Sequence, residues 1–318
     1  SSLESVQIQR GVGTSTNGGG AFGGTVNMQT MGLQEKAYGE VNVAGGSFNT
    51  QKFTAKFGTG LINNRWAFDG RLSQISSDGY IDRASANLRS YDLSVVYYGD
   101  RTMIKMIHFA GHERTYQSWY GTPESRVNGD VEGMNAHILN NGFSAEQAEN
   151  LLNSDRTYNH YLYDNEVDNY GQDHYQLHLS HEFNKNLYGT MAFHYTYGRG
   201  YFEQFRNQDD FADYNLSDLV IGGDTITSTD LIRRRWLDNH FYGMTYNLHY
   251  SKDKLNLVFG GALNQYDGDH FGEIIWTQFA SGSSIRDRFY NNNGLKTDFN
   301  SYIKADYEFS DKLTGFVD

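Results

Sequence analysis

The chain has 318 residues, a formal net charge of -12, 24 Tyr, 20 Phe, 35 Gly, one Pro and no Cys. Without cysteine there is no disulfide framework, thiolate metal site or thiol nucleophile, and an acidic chain whose one basic cluster is Arg233-Arg234-Arg235 is a poor partner for nucleic acid. Mean hydropathy is negative and no window approaches the roughly 20 consecutive apolar residues of a membrane-spanning helix, which excludes a helical membrane protein but not a barrel, whose alternating strands average out polar.

No signal peptide opens the chain, and its first element is predicted as a strand over Leu3 to Gln9. A glycine-rich turn and a second short strand, Thr25 to Thr30, follow. Gly18, Gly20 and Gly23 satisfy G-x-G-x-x-G, but a dinucleotide site needs a helix after the glycines, and here the chain alternates as a strand. Ten longer strands are then predicted: Ala37 to Ala44, Lys52 to Gly58, Trp66 to Ser76, Arg89 to Tyr98, Thr102 to His112, His174 to Phe183, Leu187 to Tyr197, Tyr242 to Tyr250, Lys254 to Tyr266 and Asp298 to Phe309. In the seventh, Leu187, Gly189, Met191, Phe193, Tyr195 and Tyr197 alternate with residues that include Thr190, His194 and Thr196, which is period two. Leu313 to Asp318 begins one more, so the chain reads as a fragment.

The links between these strands alternate in length. Thr59 to Asn64, Gly99-Asp100, Asn184 to Asn186, Lys252-Asp253 and Ser310 to Lys312 are short; Gly45 to Gln51, Ser77 to Leu88, Glu113 to Asp173, Gly198 to Asn239 and Asp267 to Lys296 are the longer set. An antiparallel meander with tight turns at one rim and long loops at the other has the asymmetry of an outer-membrane barrel, and strands of about ten residues suit a tilted bilayer crossing. A soluble β-sandwich, the competing reading, uses shorter strands and shorter links at both ends. Within Glu113 to Asp173, Ser144 and Gln147 form a capping box ahead of Ala145, Ala148, Leu151 and Leu152, so a short helix is expected there.

Residues 1 to 30 carry a further signal: Arg10-Gly11, Gly18, Ala21, Gly23-Gly24 and Val26-Asn27-Met28 with Thr30, in that order. This resembles the end of the plug domain in TonB-dependent outer-membrane transporters. The resemblance implies an all-β fold, a transmembrane antiparallel β-barrel of the 22-stranded type, present in part, with the C-terminal part of the plug at residues 1–35. Residues 36–318 would supply the first ten to eleven barrel strands with long extracellular loops.

Function follows as an expectation: active import of a scarce, bulky nutrient, with a ferric siderophore or other iron complex ahead of cobalamin and oligosaccharides. The implied partners are the TonB-ExbB-ExbD complex, reached through a segment upstream of Ser1, outer-membrane lipid, the small-molecule nutrient and a surface lipoprotein. A soluble or surface β-rich binding protein is the alternative of another class. No enzyme is expected: H-E-x-x-H, G-x-S-x-G and the P-loop are all missing.

Candidate ligand contacts are the turn residues Thr16 and Asn17 and the aromatics Trp119, Tyr120, Tyr201, Phe202, Trp236 and Trp276, which fall in or beside the longer links. By resemblance Arg10 would lock plug to barrel through Glu40 or Asp69. No cofactor is expected. Two acidic clusters, Asp209, Asp210 and Asp213, and Asp267, Asp269 and Glu273, are weak candidates for loop calcium but lack the spacing of a known calcium loop. His174 and His178, four apart on a strand, face one side about 13 Å apart, too far for one metal ion.

Overall fold

The computed structural model describes residues 3–18, 20–30, 32 and 34–318; Ser1, Ser2, Gly19, Met31 and Leu33 lie outside the described residues. Strands β1 (Leu3–Arg10) and β2 (Gly24–Thr30) form a separate hairpin. Then come β3 (Lys36–Gly46), β4 (Thr50–Gly60), β5 (Trp66–Ser77), β6 (Ala86–Tyr98) and β7 (Thr102–Tyr116). Helices α1 (Glu124–Asn128), α2 (Val131–Asn140) and α3 (Ala145–Asn153) interrupt the strands, which resume with β8 (Val167–Asn184) and β9 (Leu187–Asp210). Two three-residue strands, β10 (Leu219–Ile221) and β11 (Asp224–Ile226), precede β12 (Ser228–Lys252), β13 (Leu255–Thr277), β14 (Arg288–Ser310) and β15 (Leu313–Val317). β3 to β9 and β12 to β15 pair with their chain neighbours into one antiparallel 11-stranded sheet.

Every predicted strand is present and in order. The two longest surprises lie above it: Gly198 to Asn239 and Asp267 to Lys296, expected as loops, are mostly strand, because β9, β12, β13 and β14 run to 23–25 residues. About ten residues suffice for a strand to cross a bilayer, so strands of this length would project well beyond one. There the faces meet water or the loops that pack on them, and the alternation that marks a strand disappears, although the ladder continues. The link Gly45 to Gln51 closes instead as a tight turn through Phe48 and Asn49, both at positive φ.

Register shows what the sheet is for. The cross-strand row Phe68, Val95, Met106, Leu177, Phe193, Met244, Leu263, Phe299 is apolar throughout. One residue along each strand, on the other face, the row reads Asp69, Ser94, Ile107, Gln176, His194, Gly243, Asn264, Asp298. A two-sheet sandwich would bury the apolar row. Here Met106 is 54% and Phe299 67% exposed, and among the described residues nothing covers this face.

The rows also climb. The row that starts at Trp66, the first residue of β5, ends at Ser301, nine residues above the foot of β14 and seven strand steps away. With the lower ends level, about 3.3 Å per residue against about 4.8 Å per strand gives a tilt of about 40°, the stagger that lets a sheet close into a membrane barrel. The polar face is the concave one. Met28, Gln29 and Thr30 of the hairpin share a cavity with Arg71, Lys105, His178 and Thr190 of the wall, and Lys304 Nζ donates to Thr16 Oγ1 (3.5 Å).

The long connection after β7 folds on itself. α3 carries the expected capping box between Ser144 and Gln147. α2 was not predicted, although Asp130 caps it through Gly133 N (3.0 Å) and Met134 and Ile138 recur at helical spacing. Met134, Leu151 and Tyr158 form its small core. Asn159 donates to the carbonyls of Asp82 (2.8 Å) and Gln117 (2.9 Å), and Arg83 to those of Tyr161 and Asn159 (both 3.0 Å), which ties this cap down onto the β5–β6 loop.

Candidate functional site

Period two decides the site. Tyr201 and Phe202 are neighbours in β9 and so point to opposite faces. Phe202 faces inward, opposite Arg235 of β12, which in turn sits opposite Gly272 of β13, itself opposite Tyr290 of β14. Gly272 leaves room for this cluster: a Cβ there would meet the Phe289 and Tyr290 rings. The Arg235 guanidinium lies over the Phe202 ring (5.7 Å) and over Tyr290 (5.3 Å), and its Nε donates to the Tyr290 hydroxyl (3.1 Å). Trp119, 54% exposed, stands edge-on to Phe202 at 5.3 Å. An aromatic, cationic shelf therefore lies at the top of the lumen.

The backbone under Trp119 is fixed by buried polar groups. Gln117 donates to the carbonyls of Glu203 (3.1 Å) and Val167 (3.3 Å) and accepts from Gln204 (3.2 Å). Tyr201 and Trp236 make a second aromatic group on the outer face, 4.6 Å apart, with Arg199 and Phe271 stacked on Trp236. Tyr120 belongs to the cap, against His160 (5.0 Å) and Tyr161 (5.6 Å). Trp276 is 47% exposed and pairs with Ile232, beside a register shift that separates it from the inward cluster. Sequence reasoning missed Arg235 and Tyr290, though the alternation that aligns Phe202 was readable.

The other expected contacts lie elsewhere. Asn17 donates to Gln9 Oε1 (3.0 Å), bonding the turn to its own strand, and Thr16 meets Thr14 and Lys304, low on β14. Gly13 and Gly18, both at positive φ, let the turn close, and a strand follows it, which removes the dinucleotide reading. Arg10 is not brought to Glu40 or Asp69. It pairs with Gly24 at the turn end of the hairpin, whereas Thr30 at the far end shares a cavity with Asp69. Glu40 instead pairs with Lys56 (3.5 Å) and Asp69 accepts from the Tyr38 hydroxyl (3.0 Å).

Neither acidic cluster gathers as a cation cage. Asp209 already accepts from Arg206 (2.9 Å) and Tyr214 (2.6 Å), Asp267 and Asp269 share Asn293 (2.8 and 2.9 Å), and Glu273 accepts from Trp236 (2.9 Å). Asp210 precedes a short 3-10 helix, Phe211–Tyr214, and Asp213 lies within it, as separate, solvent-facing groups. His174 and His178 do face one side, each bonded to a glutamine, Gln172 (3.0 Å) and Gln176 (3.1 Å).

Between the cap and the top of β9 lies a cleft of about 370 Å³ lined by Tyr120, His160, Glu166 and Arg206. Burial pushes the Glu166 carboxyl up from 4.5 to about 8 despite N–H donors from Tyr163 and Phe205. A raised carboxyl pKa means that the folded cap holds a proton the unfolded cap has lost. Cap stability is therefore full below about pH 4.5 and declines as pH rises to 8, by at most about 4 kcal/mol. Glu166→Gln should flatten that decline, making the cap more protease-resistant than the parent at pH 8 and no different at pH 4.5; equal pH profiles would refute it.

No family model matches the sequence, and no curated protein is similar enough in sequence to match. Solved structures do match. The ferripyoverdine receptor of the outer membrane of Pseudomonas aeruginosa superposes with a TM-score of 0.65 at 11% identity, covering 98% of this chain and 40% of the receptor. The siderophore receptor PiuA from Acinetobacter baumannii gives 0.63 at 13% identity, over 97% of this chain and 45% of PiuA. The chain has the fold of the TonB-dependent outer-membrane receptors. The copper transporter OprC shares it, with a TM-score of 0.59 at 12% identity, over 98% of this chain and 40% of OprC. The chain thus spans about two fifths of the length of these receptors, and its open 11-stranded sheet has the fold of part of their barrel.

Proposed function

We propose that this chain belongs to a Gram-negative outer-membrane importer, not an enzyme, and that its cargo is an anionic chelate carrying aromatic groups, a ferric siderophore. The observation that carries this reading is Arg235, held over Phe202 and Tyr290 with Trp119 alongside, at the mouth of the lumen. A guanidinium flanked by π faces suits a ligand that is both negative and planar. Among the described residues no three His, Asp or Glu side chains converge as a metal site, which favours a cargo that brings its own chelator. Two of the similar structures are named for siderophores or ferripyoverdine.

In this reading residues 1–35 end the plug, and the TonB-ExbB-ExbD complex pulls on a segment N-terminal to them. A barrel has no gradient of its own to exploit, so the force must come from the inner membrane. Full-length protein from iron-starved cells should carry a ferric chelate identifiable by mass spectrometry. Bound corrinoid or oligosaccharide, with production independent of iron, would replace this assignment. For the chelate so identified, Arg235→Ala should weaken binding about tenfold or more, read by quenching of Trp119 fluorescence, with Arg235→Lys recovering part. Unchanged affinity in Arg235→Ala would remove the shelf from the binding site.

A further inference from the structure

We infer that the outer face of β4 to β8 seats a phosphorylated, acylated lipid of the outer leaflet; the inference rests on the membrane-barrel reading. On this face β6 presents, from its lower end upward, Tyr97, Val95, Leu93, Tyr91 and Arg89. The eight residue steps from Tyr97 to Arg89 rise about 20 Å at a tilt of about 40°, which brings Arg89 to the upper border of an apolar band about 25 Å tall. Arg89 is therefore at headgroup height.

Two grooves meet below it. The upper, about 620 Å³, has Ala55, Leu72 and Ala110 as its floor, with Arg89, His112 and Gln74 along its top. It exists because Ala110 and Gly171 leave space beside Tyr91 and Phe53. The lower, about 720 Å³, continues toward mid-membrane between Leu93, Met106, Leu177 and Phe193. An apolar channel that ends at a cation matches an acyl chain under a phosphate.

The charge is free to serve. Arg114 and Arg199, which also lie high on this face, are occupied by Asn165 (2.6 Å) and Asp238 (3.3 Å). Arg89 is exposed and, among the described residues, makes no hydrogen bond or ion pair. The nearby carboxylate, Asp173, is engaged with His108 (3.4 Å), itself stacked on Tyr175 (4.2 Å).

Native mass spectrometry of the full-length protein in neutral detergent, titrated with bisphosphorylated and with monophosphoryl lipid A, tests this. The bisphosphorylated form should bind about fivefold or more tightly, Arg89→Ala should bring the two forms level, and Arg89→Lys should keep most of the preference. A parent protein that does not distinguish the two lipids, or a preference that survives Arg89→Ala, overturns the site. Either result leaves the import reading intact, because that reading stands or falls on the cargo in the lumen.

Discussion

Phe193→Arg is expected to destabilise the folded barrel by about 2–4 kcal/mol, while Tyr197→Arg, four residues higher on the same face, costs about 0–1 kcal/mol. Phe193 lies in the all-apolar row, and Tyr197 in a higher row with Tyr91, Asp173 and His240. The first arginine sits at mid-bilayer, and the second reaches the headgroups, where a guanidinium is well solvated. Urea unfolding of the full-length protein in phospholipid vesicles gives both values. A soluble sandwich has no depth axis, so an equal cost at the two positions would sink the membrane assignment.

The second large effect is expected at Glu203. Its carboxylate, 2% exposed, accepts from Arg234 Nε (2.6 Å), Tyr163 Oη (2.8 Å) and Asn165 Nδ2 (2.6 Å). Arg234 is itself stacked on Tyr201 at 4.2 Å. Glu203→Ala strands a half-buried guanidinium and two donors, a loss of about 3–5 kcal/mol. Because Tyr163 and Asn165 end the cap and the Glu203 carbonyl holds Gln117, the cap should loosen before the barrel does. Limited proteolysis should then cut between residues 117 and 166 much faster, while the β-sheet signal in circular dichroism persists. Intact protection of the cap would show that Asn159 and Arg83 suffice to hold it.

The strand order was legible because each strand crosses an apolar medium on one side only, which writes period two into Leu187 to Tyr197, Tyr242 to Tyr250 and Asp298 to Phe309. Legibility failed above the bilayer. Arg206, Arg233 and Glu203 extend the same ladders, but with water or cap residues on both faces no hydrophobic period survives. Arg10 failed for a different reason: a resemblance supplies a role, whereas the register of β1 on β2 places that side chain at the turn, at the end of the hairpin away from Asp69.

By itself, then, the sequence determined that a long antiparallel meander would form, which face of each strand would be apolar, and where a capped helix would interrupt it. These are local properties, set by side-chain parity and by turn and capping chemistry within a few residues. Only the tertiary structure decided which side chains meet: Trp119 with Phe202, Arg235 with Tyr290, Glu203 with Arg234. Those pairings join residues as much as 83 positions apart along the chain, and inter-strand register, which sums many weak contacts across the sheet, fixes them to within one residue.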